Sequence, residues 1–221
     1  PQTGLLGVNI GPNKATQTRL EEYLIGLRTF DELAEYITIN ISSQNNENLR
    51  NFHNEARLNK LKKKKKIKKK NLNSKIPIVL KIAPDINDKE IEKISEILLS
   101  NDIEAIIISN TSDETREKLK DIQKHQKGGL SGKPIEDKTN LLISKFYKHL
   151  RGKIKIIGVG GVDSGLSAYN KFLAGADYIQ LYTGMVFKGP NIVNMIKQEL
   201  SELLSKDGVK NFREIIGNKS K

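Results

Sequence analysis

The segment 40–45, NISSQN, holds the densest set of chemically useful side chains in the sequence. It follows an apolar run, which predicts that these polar groups stand at the carboxyl end of a buried strand. Because side chains alternate along a strand, Asn40 and Ser42 should point the same way, with Ser43 and Asn45 at the strand end. Clustered amides suit a planar heterocycle whose edge offers both donors and acceptors. The alternative for the serine is a simple turn residue.

Lys81 lies in the middle of the apolar run 76–85, IPIVLKIAPD. A lysine buried there must find a partner or lose its charge. One interpretation places it in the lumen of a barrel, facing an electron-rich group of a cofactor; the other lets it extend to the rim. Ser109, Asn110 and Thr111 repeat the combination of amide and hydroxyl groups at the end of another run.

Glycine-rich turns predict an anion site. The run 154–162 ends in GVGGV just before a predicted helix, so backbone N–H groups and the helix N-terminus could bind an anion together. The YTG at 182–184 offers hydroxyls and further amides to the same anion, and 128–133, GGLSGK, resembles a flexible phosphate or flavin loop. The spacing GVGGV is not GxGxxG, so a dinucleotide-binding fold is not indicated.

No metal site is predicted. The sequence has no cysteine, which excludes disulfides, thiolate metal sites and cysteine nucleophiles. His53, His125 and His149 lie in separate predicted loops or helices, away from the strand ends. The acidic residues form no clustered pair at those ends either.

These residues follow apolar runs that alternate with amphipathic segments. Continuous apolar runs predict strands buried on both faces, as in a parallel sheet, and 3.6-residue periodicity predicts helices between them. Asn87 with Glu90 forms a candidate capping box, Gly175 a candidate helix end, and Pro190 a candidate helix start. The predicted strands lie in 7–11, 36–45, 76–85, 104–111, 154–162 and 178–184, and the predicted helices in 16–35, 88–99, 136–150, 164–174 and 190–205.

The fold class predicted is α/β, a (β/α)8 TIM barrel of which the chain holds only strands three to eight. An open doubly wound sheet alternates in the same way, but it concentrates function at one switch point. Here polar signatures follow nearly every strand, as in a barrel, where phosphate often binds after strands seven and eight. If the last two runs are those strands, the first two lie upstream of Pro1.

The net charge of +12 is concentrated in one segment. Nine lysines between residues 60 and 70 account for most of it, and removing their charge leaves +3. No aromatic residue interrupts this segment, as single-strand binders usually require. We therefore predict that 56–75 is a Lys-rich, low-complexity insertion and that nucleic acid is not a partner.

Eight ordered motifs resemble the dihydroorotate dehydrogenase family: GLLGVNIGPNK, YITINISSQN, VLKIAPD, IISNT, GGLSGKP, IIGVGGV, AGADYIQLYTG and EIIG. The resemblance is to the membrane-associated, quinone-linked class, which uses a serine base where the soluble class uses cysteine. It implies a single FMN-binding barrel domain over 1–221 that lacks the first two strand–helix units. It also implies oxidation of dihydroorotate to orotate in pyrimidine biosynthesis, with FMN as hydride acceptor and a quinone as final acceptor.

The resemblance also implies roles for matching residues. Ser43 would take a proton from C5 of dihydroorotate while a hydride leaves C6 for the flavin. Lys81 would stabilise the reduced flavin by its charge. The implied substrate-binding residues are Asn40, Asn45, Asn110 and Thr111. The implied flavin-binding residues are Asn9, Asn40, Lys81, Ser109, Gly132, Gly160, Gly161, Tyr182 and Thr183.

A quinone site and membrane association are expected through an amino-terminal region upstream of Pro1, at the mitochondrial inner membrane. Two departures motivate an alternative, a non-catalytic fragment or degenerate paralogue of the same barrel. The family pattern SSPNT reads SSQNN at 42–46, so that Gln44 replaces a proline, and the first two strands are absent. A basic nucleic-acid-binding protein is a further alternative, resting on the lysine segment alone.

Overall fold

The computed structural model describes residues 4–12, 19–41, 76–101, 103–113, 116–117 and 119–220. Its strands are β1 (Gly7–Ile10), β2 (Tyr36–Asn40), β3 (Ile78–Ile82), β4 (Ala105–Ile108), β5 (Lys155–Gly158) and β6 (Tyr178–Ile179). Its helices are α1 (Arg19–Phe30), α2 (Asp88–Leu99), α3 (Glu136–Leu150), α4 (Gly165–Ala174), α5 (Thr183–Lys188) and α6 (Ile192–Lys206). Short 3₁₀ turns cover Lys133–Ile135 and Phe212–Ile215.

The six strands form one parallel sheet in the order β1-β2-β3-β4-β5-β6. Each strand pairs with the next one in the sequence, so every crossover steps in the same direction. Because parallel crossovers are right-handed, steps in one direction place all helices on the same face of the sheet. A doubly wound sheet reverses direction at its switch point, and this sheet does not. The α/β prediction is confirmed, and the topology is that of a barrel wall.

The two faces of the sheet differ in what covers them. The main apolar core joins alternate strand residues such as Ile39, Leu80 and Ile106 to helix residues such as Ile94 and Phe146. The opposite face carries a smaller cluster built on Val79, Ala105 and Ile107, which contains strand residues and no helix residue. The first face is therefore the outer, helix-covered one, and the second is the inner one.

The sheet curls around that inner face. The side chain of Gln180, just after β6, donates to the hydroxyl of Tyr36 at the start of β2 over 3.4 Å. Three strands lie between β2 and β6 in the sheet order, so a flat sheet would hold these two residues far apart. Together the six strands form a curled half-barrel.

Local signals explain the element ends. The predicted capping box is present, with the Asn87 side chain accepting from the Glu90 backbone N–H at 3.1 Å and Glu90 returning the bond. Gly175 closes α4 with φ of 117°. Helix α6 begins at Ile192, two residues after the predicted start at Pro190. Helix α5 has no counterpart among the predicted helices, because its six residues are too few to show a period.

The predicted insertion at 56–75 lies outside the described residues, as do Ser43 and Asn45. Among the helices that the structure describes, none is both long and apolar enough to cross a membrane.

Candidate functional site

One cavity of about 220 Å³ opens where strands β3 to β6 end. Parallel strands bring their carboxyl ends to the same edge, and the loops that follow form its wall. Residues that the sequence predicted separately, from four different strand ends and one loop, meet here. The predicted residues that line the cavity are Lys81, Ser109, Asn110, Thr111, Gly132, Gly160, Gly161, Tyr182 and Thr183.

The other predicted residues are not part of this lining. Asn9 lies on β1, in register with Thr38, and is exposed. Asn40 lies in register with Lys81 on the neighbouring strand, so the two side chains share the inner face of the sheet. Ser43 and Asn45 fall outside the described residues, and their predicted places stay predictions.

Lys81 brings positive charge to the cavity wall. It belongs to a row of inner-face residues that continues through Ile107 to Ile157. No described residue accepts a hydrogen bond from its ammonium group, and burial lowers the pKa of this group below its ordinary value. A half-buried cation without a protein partner can interact with a negative or electron-rich group of a ligand.

The glycine turn, residues 158–162, presents backbone donors to the same cavity. Gly160 and Gly161 have φ values of 111° and 78°, in the region that favours glycine. A Cβ atom on Gly161 would lie 2.4 Å from the Cβ of Glu136, so a side chain does not fit there either. Neither glycine's N–H donates to any residue in the described part of the chain. Two adjacent free N–H groups form a concave binding site for an anion.

The sequence predicted that the amino terminus of α4 joins this anion site, and two of its N–H groups already have acceptors in the protein. The Gly165 N–H donates to the carboxylate of Glu199 on α6, and the Ser164 side chain accepts from the Ser167 N–H at 3.2 Å. The N–H groups of Gly165 and Ser167 are therefore not free for an anion, whereas those of Gly160 and Gly161 are, among the residues that the structure describes.

The facing wall comes from the turn before α3 and from the end of β6. The Thr183 hydroxyl donates to the Ser131 hydroxyl over 3.0 Å. Gly132 has φ of 77°, and a Cβ atom there would lie 2.8 Å from the Thr183 Cγ2 atom. This close approach holds the predicted phosphate loop against the β6 turn.

Asp85 holds the long segment between β4 and α3 in place. Its carboxylate accepts from the Ser112 hydroxyl at 2.6 Å and from the Asp113 N–H at 2.8 Å, and forms an ion pair with Lys138. Ser112 and Leu130 exchange backbone hydrogen bonds of 2.9 and 2.7 Å, which closes the segment 112–130 into a loop. Asn110 and Thr111 are therefore fixed from the side of β3.

The predicted site residues do not cover the whole cavity wall. Six further residues line it, and only two of them, Ile135 and Leu181, lie outside the polar and glycine motifs that the sequence singled out. The additional lining residues are Ser131, Ile135, Val159, Val162, Leu181 and Gly184. They give the cavity an apolar component suited to a flat ring system.

Comparisons with known proteins agree with this arrangement. The family model described as dihydroorotate dehydrogenase matches residues 2–204. A protein of Bartonella tribocorum named dihydroorotate dehydrogenase (quinone) is 40% identical over 220 residues, covering 96% of this chain and 60% of that protein. A rice protein named dihydroorotate dehydrogenase (quinone), mitochondrial, is 37% identical over 222 residues, covering 97% of this chain and 47% of that protein.

A solved structure gives the same result for the fold. A crystal structure of an Eimeria tenella DHODH in complex with ferulenol superposes with a TM-score of 0.93 at 30% identity, covering 99% of this chain and 62% of that one. Such neighbours are TIM barrels. The chain thus spans about 60% of the length of the first relatives it matches.

Proposed function

The chain belongs to the dihydroorotate dehydrogenase family, and we propose that the protein carrying it oxidises dihydroorotate to orotate. In this proposal FMN accepts the hydride and a quinone is the final electron acceptor. The observation that carries the proposal is the cavity at the ends of β3 to β6, because nine of the residues expected to bind flavin or substrate line it together.

The cavity fits the chemical parts of FMN. The free N–H groups of Gly160 and Gly161, with the hydroxyl of Thr183 nearby, suit a phosphate group. The ammonium of Lys81, which has no hydrogen-bond partner among the described residues, suits the polar edge of the ring system, and the apolar wall suits its faces. Bound FMN would supply the one chemistry that protein side chains lack, the acceptance of a hydride.

The remaining cofactor-binding assignments follow the same pattern. Ser109 and Gly132 would contact the cofactor from β4 and from the loop before α3, and Tyr182 would contact it from the end of β6. Asn9 and Asn40 would contact it from the first two strands of the described sheet. Lys81 would keep positive charge beside the ring, where it favours negative charge arising during the reaction.

Substrate binding and proton removal are assigned to residues at the strand ends. Asn110 and Thr111, fixed through Asp85, would bind the pyrimidine together with Asn40 and Asn45. Ser43 would accept the proton that leaves C5 of dihydroorotate. Serine is a weak base by itself, so a water or threonine relay would carry this proton away.

The strands seen here would be strands three to eight of a complete barrel. The relatives' greater length leaves room for two further strand–helix units and for a quinone site, which we assign with membrane association to the remaining portion. We propose a location at the mitochondrial inner membrane; the rice relative's name includes the word mitochondrial, whereas the names of the bacterial relatives do not.

Purification of the protein at its natural length tests the proposal. We expect one bound flavin per chain, visible by its absorbance, which dihydroorotate bleaches and a quinone restores. A folded protein that binds flavin but is not bleached by dihydroorotate would contradict the proposed substrate.

The alternative of a non-catalytic fragment or degenerate paralogue is motivated by the 60% coverage of the relatives and by Gln44. Expression of residues 1–221 alone distinguishes this alternative from the proposed enzyme. A stoichiometric flavin band that dihydroorotate bleaches would exclude the alternative, and a folded chain without flavin would support it.

A further inference from the structure

Lys171 on α4 is a lysine buried inside the protein, next to the glycine turn. Its relative exposure is 0%. Its ammonium group donates to the Thr139 hydroxyl at 2.8 Å and to the Asn140 side-chain oxygen at 2.9 Å, both on α3. Burial of a charged group is costly unless its hydrogen bonds are satisfied, and these two neutral acceptors satisfy part of that need.

The partners of Lys171 reach the back of the glycine turn. The Thr139 hydroxyl that accepts from Lys171 lies 3.3 Å from the carbonyl oxygen of Gly160 and 2.9 Å from that of Glu136. The stem of Lys171 also packs there, since its Cδ atom would lie 3.1 Å from a Cβ atom at Gly158. Neither Lys171 nor Thr139 lines the cavity, so the lysine supports the turn from outside the cavity.

No carboxylate forms an ion pair with Lys171 within the part of the chain that the structure describes. Glu136, the carboxylate that raises the pKa of Lys171 most, is paired with Lys133 over 2.5 Å. Desolvation lowers the pKa of Lys171 to about 8; among the smaller effects, Glu136 and Asp137 raise it and Lys133 lowers it. The positive charge is therefore only partly compensated by the protein.

We propose that Lys171 is a positioning residue for the phosphate group of bound FMN, holding the glycine turn through Thr139 and supplying buried positive charge behind it. This inference rests on the proposed function, which places the phosphate in front of the free N–H groups of Gly160 and Gly161. The N–H groups of Gly160 and Gly161 would then donate directly to the phosphate, and the charge of Lys171 would attract the same phosphate from behind the turn. Low dielectric around Lys171 makes this attraction stronger than that of a surface lysine.

Comparison of FMN with riboflavin, which lacks the phosphate, isolates this effect. In the protein at its natural length, wild type should bind FMN more tightly than riboflavin. Lys171→Met should weaken FMN binding by about tenfold or more, the loss expected for one interaction with a charged group, and leave riboflavin binding nearly unchanged. The matched control is Lys145→Met, because Lys145 pairs with Asp88 on α2 instead of contacting the glycine turn; it should retain the preference for FMN.

A merely structural lysine would behave differently. Equal weakening of FMN and riboflavin in Lys171→Met, or an unchanged preference for FMN, would overturn the inference. If Lys171→Met does not fold, Thr139→Val provides the second test, since it keeps the volume of the side chain and removes the hydroxyl that joins Lys171 to the turn. That variant should lose part of the preference for FMN, and full retention would also overturn the inference. A wild-type protein that binds neither flavin would instead contradict the proposed function.

Discussion

Ser42 and Ser43 are adjacent serines, and the proposal assigns proton removal to Ser43 alone. Ser43→Ala should lower dihydroorotate turnover near neutral pH by about 10²–10⁴-fold, the usual contribution of a general base, while flavin stays bound. Steady-state rates and flavin absorbance measure both effects. Ser42→Ala is the matched control and should retain most of the activity. Unchanged turnover in Ser43→Ala would exclude Ser43 as the base.

Lys171 should make stability depend on pH in a defined window. Its pKa falls from 10.5 to about 8 on burial, so between these values the unfolded chain binds more protons at this site than the folded chain. The free energy of unfolding therefore gains a contribution that rises with pH across this window and is constant below it. At about 1.4 kcal/mol per pKa unit, the contribution reaches at most about 3.5 kcal/mol.

Denaturant unfolding at several pH values, compared between wild type and Lys171→Met, isolates this contribution. Wild type should show the steeper rise from pH 8 to 10.5, because the variant has no group to titrate at this position. Parallel pH profiles in the two proteins would show that Lys171 does not titrate as its burial requires.

Lys81, which is half-buried, and Lys171, which is fully buried, show what a sequence can reveal about single residues. A functional role for Lys81 was predictable because this residue interrupts an apolar strand, where charged side chains are rare. Lys171 stands in an amphipathic helix, where a lysine usually faces solvent. Its acceptors, Thr139 and Asn140, are about thirty residues away in the chain, so only the packing of α3 on α4 reveals that it is buried.

At the scale of the elements, the glycine turn should tolerate no side chain at Gly161. Gly161→Ala places a Cβ atom 2.4 Å from Glu136 Cβ at a φ of 78°, so it adds a clash of about 1–3 kcal/mol to the backbone strain. FMN affinity and melting temperature should both fall. Gly152→Ala is the matched control, because Gly152 has a similar φ of 73° but no atom within 4 Å of an added Cβ. Equal effects in both variants would mean that the turn is not tightly packed.

The Asp85 contacts predict how the loop 112–130 is held. Asp85→Ala removes the acceptor of the Ser112 hydroxyl and the Asp113 N–H, so the loop should open more often. Hydrogen exchange of backbone amides in this loop should become faster, and the Michaelis constant for dihydroorotate should rise because Asn110 and Thr111 lose support. Asp88→Ala, which removes only an exposed ion pair with Lys145, should leave exchange in the loop unchanged. Unaltered exchange in Asp85→Ala would show that the backbone bridge to Leu130 suffices.

The ends of helices were predictable where residues close in sequence determine them. The Asn87 capping box and Gly175 act within a few residues, so the sequence alone carries their signal. The occupation of the α4 amino terminus by Glu199 could not be predicted in this way, because that carboxylate comes from α6. The candidate anion site consequently has fewer helix donors than the sequence predicted, and it rests mainly on the N–H groups of the glycine turn.

At the scale of the whole molecule, the lysine segment should be separable from flavin binding. Deletion of residues 60–70 lowers the net charge from +12 by nine, and a solvated insertion can be removed without changing a packed site. Flavin content should stay the same, while adsorption to nucleic acid at low salt should weaken. Replacing the nine lysines by serine at constant length is the control for loop length. Loss of flavin on deletion, but not on replacement, would assign a structural role to the segment's length.

The class of fold was predictable because the apolar runs alternate with helical periodicity along nearly the whole chain. The curl of the sheet was not predictable in the same way. It shows in the Gln180–Tyr36 contact, which joins residues 144 positions apart, and no local pattern encodes such a contact. Polar strand ends indicated a barrel only because there were several of them.

The sequential order of the strands also sets an order in time. As the chain leaves the ribosome, β2 can pair with β1, β3 with β2, and so on, because no strand must wait for a partner made much later. The longest interval between paired strands separates β4 from β5, where residues 109–154 intervene; the entropic cost of closing such a loop grows only logarithmically with length. Synthesis of β6 comes last, so the cavity that depends on it should form only when translation of this segment is almost complete.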